Sequence, residues 1–232
     1  MTSRVRSKKV NRAWLHDHLT DPYVKLAQKE GFRSRAAYKL KEMDETLHLF
    51  RPGQFVVDLG AAPGAWSQYV HRKFTATQGH GALGGKGLAG RSIVALDMLP
   101  MEPIDEVEFV LGDFRDVAVL KDLERILASR PVDVVISDMA PNLSGVADAD
   151  AARMADLVEL AIDFAVQHLA PRGVLICKAF HGSGYSQLVT RFKSSFSTMK
   201  VIKPKASRGK SAETYLVGIG PKLRSRSLEL RA

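Results

Sequence analysis

The stretch Phe55-Val-Val-Asp-Leu-Gly-Ala-Ala-Pro-Gly-Ala-Trp66 constrains the fold more than any other part of the chain. Its apolar run predicts a strand buried on both faces, which is typical of a parallel sheet. Gly60 and Gly64 allow a tight turn and let a ligand approach the backbone closely. Because ligands of open parallel sheets bind outside the carboxyl ends of the strands, this turn is a candidate cofactor cradle. A strand-to-helix turn without a ligand explains the segment equally well.

Further apolar segments alternate with amphipathic ones and predict an α/β fold. Beyond the strand that ends at Leu59, strands are predicted over 92–97, 107–111, 132–137, 173–179, 198–202 and 213–219. Helices are predicted over 35–47, 65–73, 117–129, 151–169 and 185–195. This alternation is typical of a doubly wound, mostly parallel sheet with helices on both faces. We therefore divide the chain into a basic N-terminal arm (1–33), one α/β domain (34–220) and a basic C-terminal tail (221–232).

Positive charge is concentrated at the two ends of the chain. Residues 1–41 hold 11 Lys and Arg against 3 Asp and Glu, and residues 200–232 hold 9 against 2. Residues 42–199 are acidic, with 14 against 20. This distribution predicts that the two basic ends bind a polyanion on either side of a site that is not itself basic. Solvated tails are the simpler alternative, and a membrane surface is disfavoured because the ends lack an amphipathic aromatic face.

The composition limits the cellular context and the cysteine chemistry. No segment predicts a membrane span or a secretory signal, so we expect a cytoplasmic protein. The single cysteine, Cys177, excludes an intrachain disulfide and a cysteine-cluster metal site, and no metal site is predicted. Because Cys177 lies in an apolar run, we expect a buried strand residue rather than a nucleophile.

Two segments outside the predicted core admit more than one interpretation. Trp14, Tyr23 and Phe32 lie among the cations of the N-terminal arm, where they suit stacking on RNA bases or docking of the arm on the domain. The glycine-rich connection over 75–91 lacks the spacing of a phosphate loop. We interpret it as a flexible insertion.

Acids recur where predicted strands end. Asp97, Asp113 and Asp138 each follow or close an apolar run. A carboxylate accepts hydrogen bonds from a ribose diol or an adenine amino group, which suits a nucleoside cofactor. A single acid at such a place is more simply a cap or loop residue, but the repetition favours a cofactor site.

Two lysines and a glutamate are harder to interpret from their local sequence. Lys178 closes an apolar strand, where burial without a partner is unfavourable, although the side chain could instead extend to water. Lys39 is offset from the apolar stripe of its helix and by itself predicts a solvated side chain. Glu213 opens the last strand.

Six motifs, taken in order, resemble those of the FtsJ/RrmJ family, whose members are S-adenosylmethionine-dependent ribose 2′-O-methyltransferases of large-subunit ribosomal RNA. They are Gly60-Ala-Ala-Pro-Gly-Ala-Trp66, Leu96-Asp-Met-Leu-Pro-Met101, Gly112-Asp-Phe-Arg-Asp116, Ser137-Asp-Met-Ala-Pro-Asn142, Lys178-Ala-Phe180 and Ser211-Ala-Glu-Thr-Tyr215. The resemblance covers about 34–220 and implies a seven-stranded, Rossmann-like sheet whose last strand is antiparallel. Glu213 would then stand at the same edge as Asp138 and Lys178.

The resemblance also implies roles for individual residues. The catalytic Lys-Asp-Lys-Glu quartet carries over onto Lys39, Asp138, Lys178 and Glu213, and the S-adenosylmethionine contacts carry over onto Gly64, Trp66, Asp97, Asp113 and Asp138. Because the sulfonium methyl is already activated, the enzyme mainly aligns it with the ribose hydroxyl and removes a proton. Lys178 would be the base, or the group that orients the oxygen and stabilises its charge. Asp138 would hold Lys178 and contact the cofactor, while Lys39 and Glu213 position the nucleotide and Lys178.

One departure from the family falls within the glycine turn, where Ala65 replaces a common glycine. Alanine is harmless in the first turn of a helix but not at a position that needs positive φ. The implied partner is ribosomal RNA, free or in the large subunit, with the A-loop uridine as target and the protein acting as a monomer. Transfer RNA or a messenger cap is the alternative substrate.

Three other classes of protein are less consistent with the sequence. A nicotinamide dehydrogenase shares the strand, turn and acid, but the turn lacks Gly-x-Gly-x-x-Gly. A base-amino methyltransferase usually has an aromatic residue where Asn142 stands. A catalytically silent RNA-binding protein predicts loss of the quartet, yet all four residues are present.

Overall fold

A seven-stranded sheet with helices packed on it forms the protein, as seen in a computed structural model. The structure describes residues 20–76, 92–209 and 211–222. Most of the predicted N-terminal arm with Trp14, nearly all of the 75–91 connection and the tail beyond Lys222 lie outside the described residues.

The elements alternate along the chain as predicted. The strands are β1 Val56–Leu59, β2 Ile93–Asp97, β3 Val107–Leu111, β4 Val132–Ser137, β5 Leu169–Phe180, β6 Phe196–Ile202 and β7 Glu213–Pro221. The helices are α1 Pro22–Glu30, α2 Ala36–Leu47, α3 Ala65–Ala76, α4 Val117–Leu127, α5 Ala147–His168 and α6 Tyr185–Ser195.

The strand order is β3-β2-β1-β4-β5-β7-β6, and β7 alone runs in the direction opposite to the other six strands. The predicted fold class is confirmed. In the register between β5 and β7, Lys178 lies opposite Tyr215 and Phe180 lies opposite Glu213. The start of β7 therefore meets the carboxyl ends of the parallel strands, as the resemblance implied for Glu213.

Strand β1 lies at the centre of the core. All of its residues are buried, with Val57 and Leu59 in one apolar cluster and Val56 in another. Since successive side chains of a strand point to opposite faces, the two clusters lie on opposite sides of the sheet. Cys177 is buried in β5, and its burial raises the pKa of the thiol to about 12, which fits the predicted structural role.

Helix α1 lies within the segment that the sequence analysis treated only as a basic arm. The Asp21 carboxylate accepts a hydrogen bond from the Tyr23 N–H at 3.0 Å, Pro22 occupies the first turn, and Gly31 ends the helix in the left-handed conformation. An N-cap aspartate, a proline at the next position and a glycine nine residues after that proline are a recognisable signal for a short helix, here formed by Asp21, Pro22 and Gly31. The basic composition of the segment obscured it.

The aromatic residues of this segment dock it on the domain. The rings of Tyr23 and Phe32 lie 5.6 and 5.7 Å from the ring of Tyr38 on α2. Ala27 packs in the same small cluster as Tyr38 and Ala206. Of the two interpretations of these aromatics, docking is the one seen for Tyr23 and Phe32.

Several boundaries differ from the predicted ones. Helix α5 begins at Ala147 instead of 151 because Asp150 organises the preceding turn, accepting hydrogen bonds from the N–H groups of Ser144 and Gly145 at 2.8 and 3.0 Å. Helix α2 begins at Ala36, whose N–H donates to the Ser34 hydroxyl. Strands β5 and β6 extend further toward the N-terminus than predicted.

Candidate active site

A cavity of about 490 Å³ opens at the carboxyl ends of β1, β2, β3 and β4. This is the edge at which the sequence predicts a cofactor. The lining includes Gly60, Asp97, Gly112, Asp113, Asp138 and Asn142.

Both glycines of the turn after β1 are required by their surroundings. Gly60 has a φ of +77°, and a Cβ there would lie 2.9 Å from the backbone of Met139. Gly64 has a φ of +97°, and its Cβ would lie 2.6 Å from the Met101 Sδ and 2.8 Å from the Arg33 guanidinium. Ala65, by contrast, has the negative φ of a helical residue and begins α3. The alanine at this position therefore fits the turn without backbone strain.

Asp97 connects the turn to the end of β2 while lining the cavity. Its Oδ2 accepts a hydrogen bond from the Ala62 N–H, and its Oδ1 accepts one from the Leu99 N–H, both at 2.8 Å. A carboxylate oxygen has more than one lone pair, so these backbone bonds leave acceptor capacity toward the cavity.

Asp113 lines the same cavity beyond β3 and is paired with Arg115. The Arg115 N–H donates to Asp113 Oδ1 at 2.9 Å, and the guanidinium donates to both carboxylate oxygens. These hydrogen bonds hold the pKa of Asp113 below its ordinary value. Asp113 therefore remains an acceptor at neutral pH.

The other two predicted cofactor residues lie outside the lining. Gly64 faces Met101 and Arg33, on the far side of the turn. Trp66 is 3% exposed, its indole N–H donates to the Ala36 carbonyl at 2.7 Å, and its ring packs 5.6 Å from the Tyr215 ring. The structure gives Trp66 a packing role between α2 and β7, and its direct contact with a cofactor stays a prediction.

The residues of the predicted quartet form two ion pairs. Lys39 Nζ on α2 lies 2.8 Å from both carboxylate oxygens of Glu213 at the start of β7. Lys178 Nζ on β5 lies 3.1 Å from Asp138 Oδ1 and also donates to the Asp138 carbonyl oxygen. Neither lysine is solvated in the way its local sequence suggested, since their side chains are 14% and 8% exposed.

Tyr215 connects the two ion pairs. Its hydroxyl donates to Asp138 Oδ1 at 2.8 Å, and Lys39 Nζ lies 6.0 Å from the centre of its ring. Burial opposes ionisation of Asp138, but Lys178, Lys39 and the Tyr215 hydroxyl outweigh it and hold the pKa of Asp138 below its usual value. Burial, with Asp138 and Glu213 nearby, raises the pKa of Tyr215, which stays a hydrogen-bond donor.

Tyr215 received no role in the sequence analysis, although a signal for it was present. It follows Glu213 by two residues on a strand, so the two side chains point to the same face of the sheet. Asp58 is another buried polar residue to which the sequence assigned no role. It is fully buried in β1, and its Oδ2 accepts a hydrogen bond from the Ser67 hydroxyl at 2.7 Å.

Other kinds of site receive no support from the described part of the chain. Within residues 20–76, 92–209 and 211–222, no group of three or more His, Cys, Asp or Glu side chains is arranged to hold a metal ion. Among the helices of these same ranges, none combines the length and the hydropathy that crossing a bilayer requires.

Comparison with known proteins shows that the chain is similar to FtsJ-like methyltransferases. The sequence profile of FtsJ-like methyltransferases matches residues 32–221. A protein of Methylibium petroleiphilum named ribosomal RNA large subunit methyltransferase E is 63% identical over 225 residues, which cover 97% of this chain and 100% of that relative. A protein of the same name from Burkholderia mallei is 60% identical over 208 residues, covering 90% of this chain and 94% of the relative.

A solved structure is similar to the whole domain. It is the crystal structure of a candidate ribosomal RNA methyltransferase from Plasmodium falciparum, with a TM-score of 0.69 and 27% sequence identity. The similarity covers 83% of this chain and 100% of that one.

Proposed function

The chain belongs to the FtsJ-like methyltransferase family, and from this premise we propose that it transfers a methyl group from S-adenosylmethionine to a ribose 2′-hydroxyl of 23S ribosomal RNA. The observation that carries the proposal is the pair of buried ion pairs, Lys39 with Glu213 and Lys178 with Asp138, beside the cavity at the strand ends. The names of the curated relatives point to large-subunit ribosomal RNA as the substrate.

The residues that line the cavity suit S-adenosylmethionine. Gly60 lines the cavity, and because a Cβ there would collide with the backbone of Met139, only glycine lets the turn approach the end of β4 this closely. Asp97 and Asp113 offer carboxylate oxygens of the kind that ribose hydroxyls and an adenine amino group require. Asp138 lines the cavity where it borders the ion pairs. When bound, S-adenosylmethionine supplies a methyl group already activated on a sulfonium.

The chain's own residues then prepare the hydroxyl. Lys178, fixed by two acceptors of Asp138, orients the ribose oxygen, stabilises the negative charge that develops on it and, as a neutral amine, takes up the proton that the hydroxyl loses. The Tyr215 hydroxyl donates to the same Asp138 Oδ1 and so helps to fix that carboxylate. Lys39 and Glu213 position the nucleotide next to this pair. Holding the two reactants in line supplies much of the rate enhancement.

The specific target follows from the family alone. We propose the A-loop uridine as the nucleotide and the cytoplasm as the location. All members of the quartet come from one chain, so we expect the monomer to be active.

The proposal is tested by replacing Lys178. Lys178→Ala removes the group next to the reacting oxygen, and we expect methyl transfer at saturating cofactor to fall by about 100-fold or more. Calorimetry on a separate sample should show near-normal S-adenosylmethionine binding, because Lys178 is not part of the cavity lining. Lys193→Ala, an exposed lysine of α6, is the matched control.

The assay compares labelled-methyl transfer to ribosomal subunits, free ribosomal RNA and transfer RNA, followed by location of the 2′-O-methyl groups. Near-normal transfer by Lys178→Ala would contradict the role given to Lys178. Methylation of transfer RNA but of neither ribosomal substrate would overturn the proposed substrate.

A further inference from the structure

The segment 203–209, which we call the basic loop, is held against α2 by a carboxylate. Glu42 accepts hydrogen bonds from two successive backbone N–H groups of the loop, those of Lys205 and Ala206. The hydroxyl of Tyr23 on α1 donates to the same Glu42 at 3.1 Å. Arg35 adds a bond to the Ala206 carbonyl. The backbone of the basic loop is therefore fixed by Glu42 on α2 and by Arg35 just before that helix, more than 160 residues away along the chain, while Tyr23 on α1 holds Glu42 in place.

The basic loop in turn contacts the quartet through a serine. Ser207 is 6% exposed, and its hydroxyl donates to Glu213 Oε1 at 2.7 Å. The same oxygen lies 2.8 Å from Lys39 Nζ. Glu213 is thus held by Lys39 on one side and by Ser207 on the other. Removing the hydroxyl would leave a buried acceptor with one donor fewer, which weakens its position.

Helix α2 holds Glu213 both directly and through the basic loop. Lys39 pairs directly with Glu213, and Glu42, one helical turn further along, holds the loop that carries Ser207. We propose that Ser207 and Glu42 are positioning residues that set Glu213, and through it Lys39, for the methyl-transfer reaction. The inference builds on the proposed function.

The first test measures the position of Lys39 directly and needs no RNA. A lysine that is ion-paired and 14% exposed reacts slowly with an acylating reagent. We expect Ser207→Ala to raise the acetylation rate of Lys39 several-fold, as measured by mass spectrometry. The rate at the exposed Lys193, measured in the same samples, should be equal in the variant and the wild type. Ser207→Thr, which keeps the hydroxyl, should restore slow labelling.

Matched controls distinguish this role from general loosening of the fold. Glu42→Ala should also raise Lys39 labelling, whereas Glu45→Ala, on the exposed side of α2, should not. Ser195→Ala removes a buried serine at the far end of α6, which is hydrogen-bonded to Arg191. If Lys39 labelling is unchanged in Ser207→Ala, or rises equally in Ser195→Ala, the inference is overturned.

The second test uses kinetics. At saturating cofactor, Ser207→Ala should lower kcat by about 10-fold or more, the effect of one lost hydrogen bond to a charged group, with the S-adenosylmethionine Kd unchanged. In a Glu213→Gln background the same substitution should cause no further loss, because Ser207 acts through Glu213. Full additivity of the two losses contradicts the inference.

Different results would refute the proposed function and the positioning role of Ser207 and Glu42. A wild-type protein that methylates no RNA refutes the proposed function, but the labelling result still decides whether Ser207 and Glu42 position Glu213 and Lys39. Active wild-type enzyme with unchanged labelling in Ser207→Ala refutes the inference alone.

Discussion

Individual charged residues tolerate burial in this protein because each has a partner of opposite charge or a hydrogen-bond donor. Lys178 and Glu213 are 7% and 8% exposed, and both belong to close ion pairs. Removing one partner of such a pair leaves a buried charge uncompensated, which destabilises a fold by about 3–5 kcal/mol. Substitutions in the quartet therefore need a stability measurement beside each activity measurement.

Asp58 is fully buried with no cationic partner among the described residues, and the Ser67 hydroxyl is its hydrogen-bond donor. Burial raises the pKa of Asp58 to about 7, and the Ser67 hydroxyl offsets this only in part. An aspartate in an unfolded chain has a pKa of about 3.9. Between these values the folded state keeps a proton that the unfolded state has lost, so raising the pH through this window lowers the stability.

Asp58→Asn should remove this pH dependence. We expect the difference in free energy of unfolding, Asp58→Asn minus wild type, to increase from pH 4 to pH 7 and to stay constant above pH 7. The total increase should be roughly 1.4 kcal/mol for each unit by which the fold shifts the pKa of Asp58. Urea titrations at several pH values measure the difference. The exposed Asp105→Asn serves as control. Parallel curves for Asp58→Asn and wild type would show that Asp58 is ionised in the fold.

Residue-level predictions from the sequence succeeded where the signal was local. Cys177 is buried as its apolar neighbours indicated, and Asp97 and Asp113 line one cavity as their positions after strands indicated. Lys39 was correctly placed on a helix, but its partner Glu213 lies 174 residues away. No local pattern around Lys39 encodes that pairing, and the family resemblance indicated only that the two residues belong to one quartet.

At the level of elements, Arg33 forms a brace, not revealed by the sequence, across the turn that we propose as the cofactor cradle. The Arg33 guanidinium donates to the carbonyls of Pro63, Glu102 and Pro103 at 2.6–3.0 Å. It therefore joins the turn after β1 to the segment between β2 and β3, and Asp97 at the end of β2 bonds to the same turn through the Ala62 N–H. A guanidinium suits this role because its donors spread in a plane wide enough to reach several carbonyls.

We expect Arg33→Ala to weaken S-adenosylmethionine binding by about tenfold, in line with the loss of hydrogen bonds that hold the cradle. Arg33→Lys should recover little of this, since one ammonium cannot span three carbonyls. Arg72→Ala is the matched control. Arg72 anchors the end of α1, just before Arg33, through the Glu30 and Gly31 carbonyls and does not contact the cradle. Calorimetry gives the Kd, and thermal unfolding the stability. An unchanged Kd in Arg33→Ala would exclude the brace as a determinant of cofactor affinity.

Whether a segment forms a helix or a strand was predictable for most elements, whereas their first and last residues were less predictable. Strands β3 and β4 and helix α6 have the predicted limits because hydrophobic periodicity and turn residues coincide there. The start of α5 was misjudged because it depends on Asp150 side-chain bonds to a preceding turn. Helix α1 was missed because its stability comes from caps and from docking on Tyr38, not from a long apolar stripe.

For the whole molecule, the uneven charge distribution predicts how RNA binding responds to salt. The chain carries a net charge of +9, and the excess lies in the two ends while the middle is acidic. Contacts between cations and phosphates release counterions, so the affinity should fall steeply as salt concentration rises. This expectation comes from the sequence, since most of the charged ends lie outside the described residues.

Replacing Arg224, Arg226 and Arg231 of the C-terminal tail with Gln should make that dependence less steep. Each lost phosphate contact reduces the slope of log K against log salt by about 0.7–0.9. Filter binding or anisotropy with a ribosomal RNA fragment at several salt concentrations measures the slope. The pair Lys121→Gln and Lys193→Gln, from the acidic middle, is the control. Equal slopes for the tail variant and wild type would mean that the tail is solvated without contacting RNA.

The sequence by itself determined the alternation of strands and helices, the buried central strand and the glycine turn at its end. These features arise from interactions within a few residues, through side-chain periodicity and the φ values available to glycine. Only the tertiary structure decided which charges meet. Lys39, Asp138, Lys178 and Glu213 come from four separate segments, and Glu213 reaches the others because β7 is inserted in reverse between β5 and β6. Such pairing depends on strand order and direction, which are properties of the whole sheet.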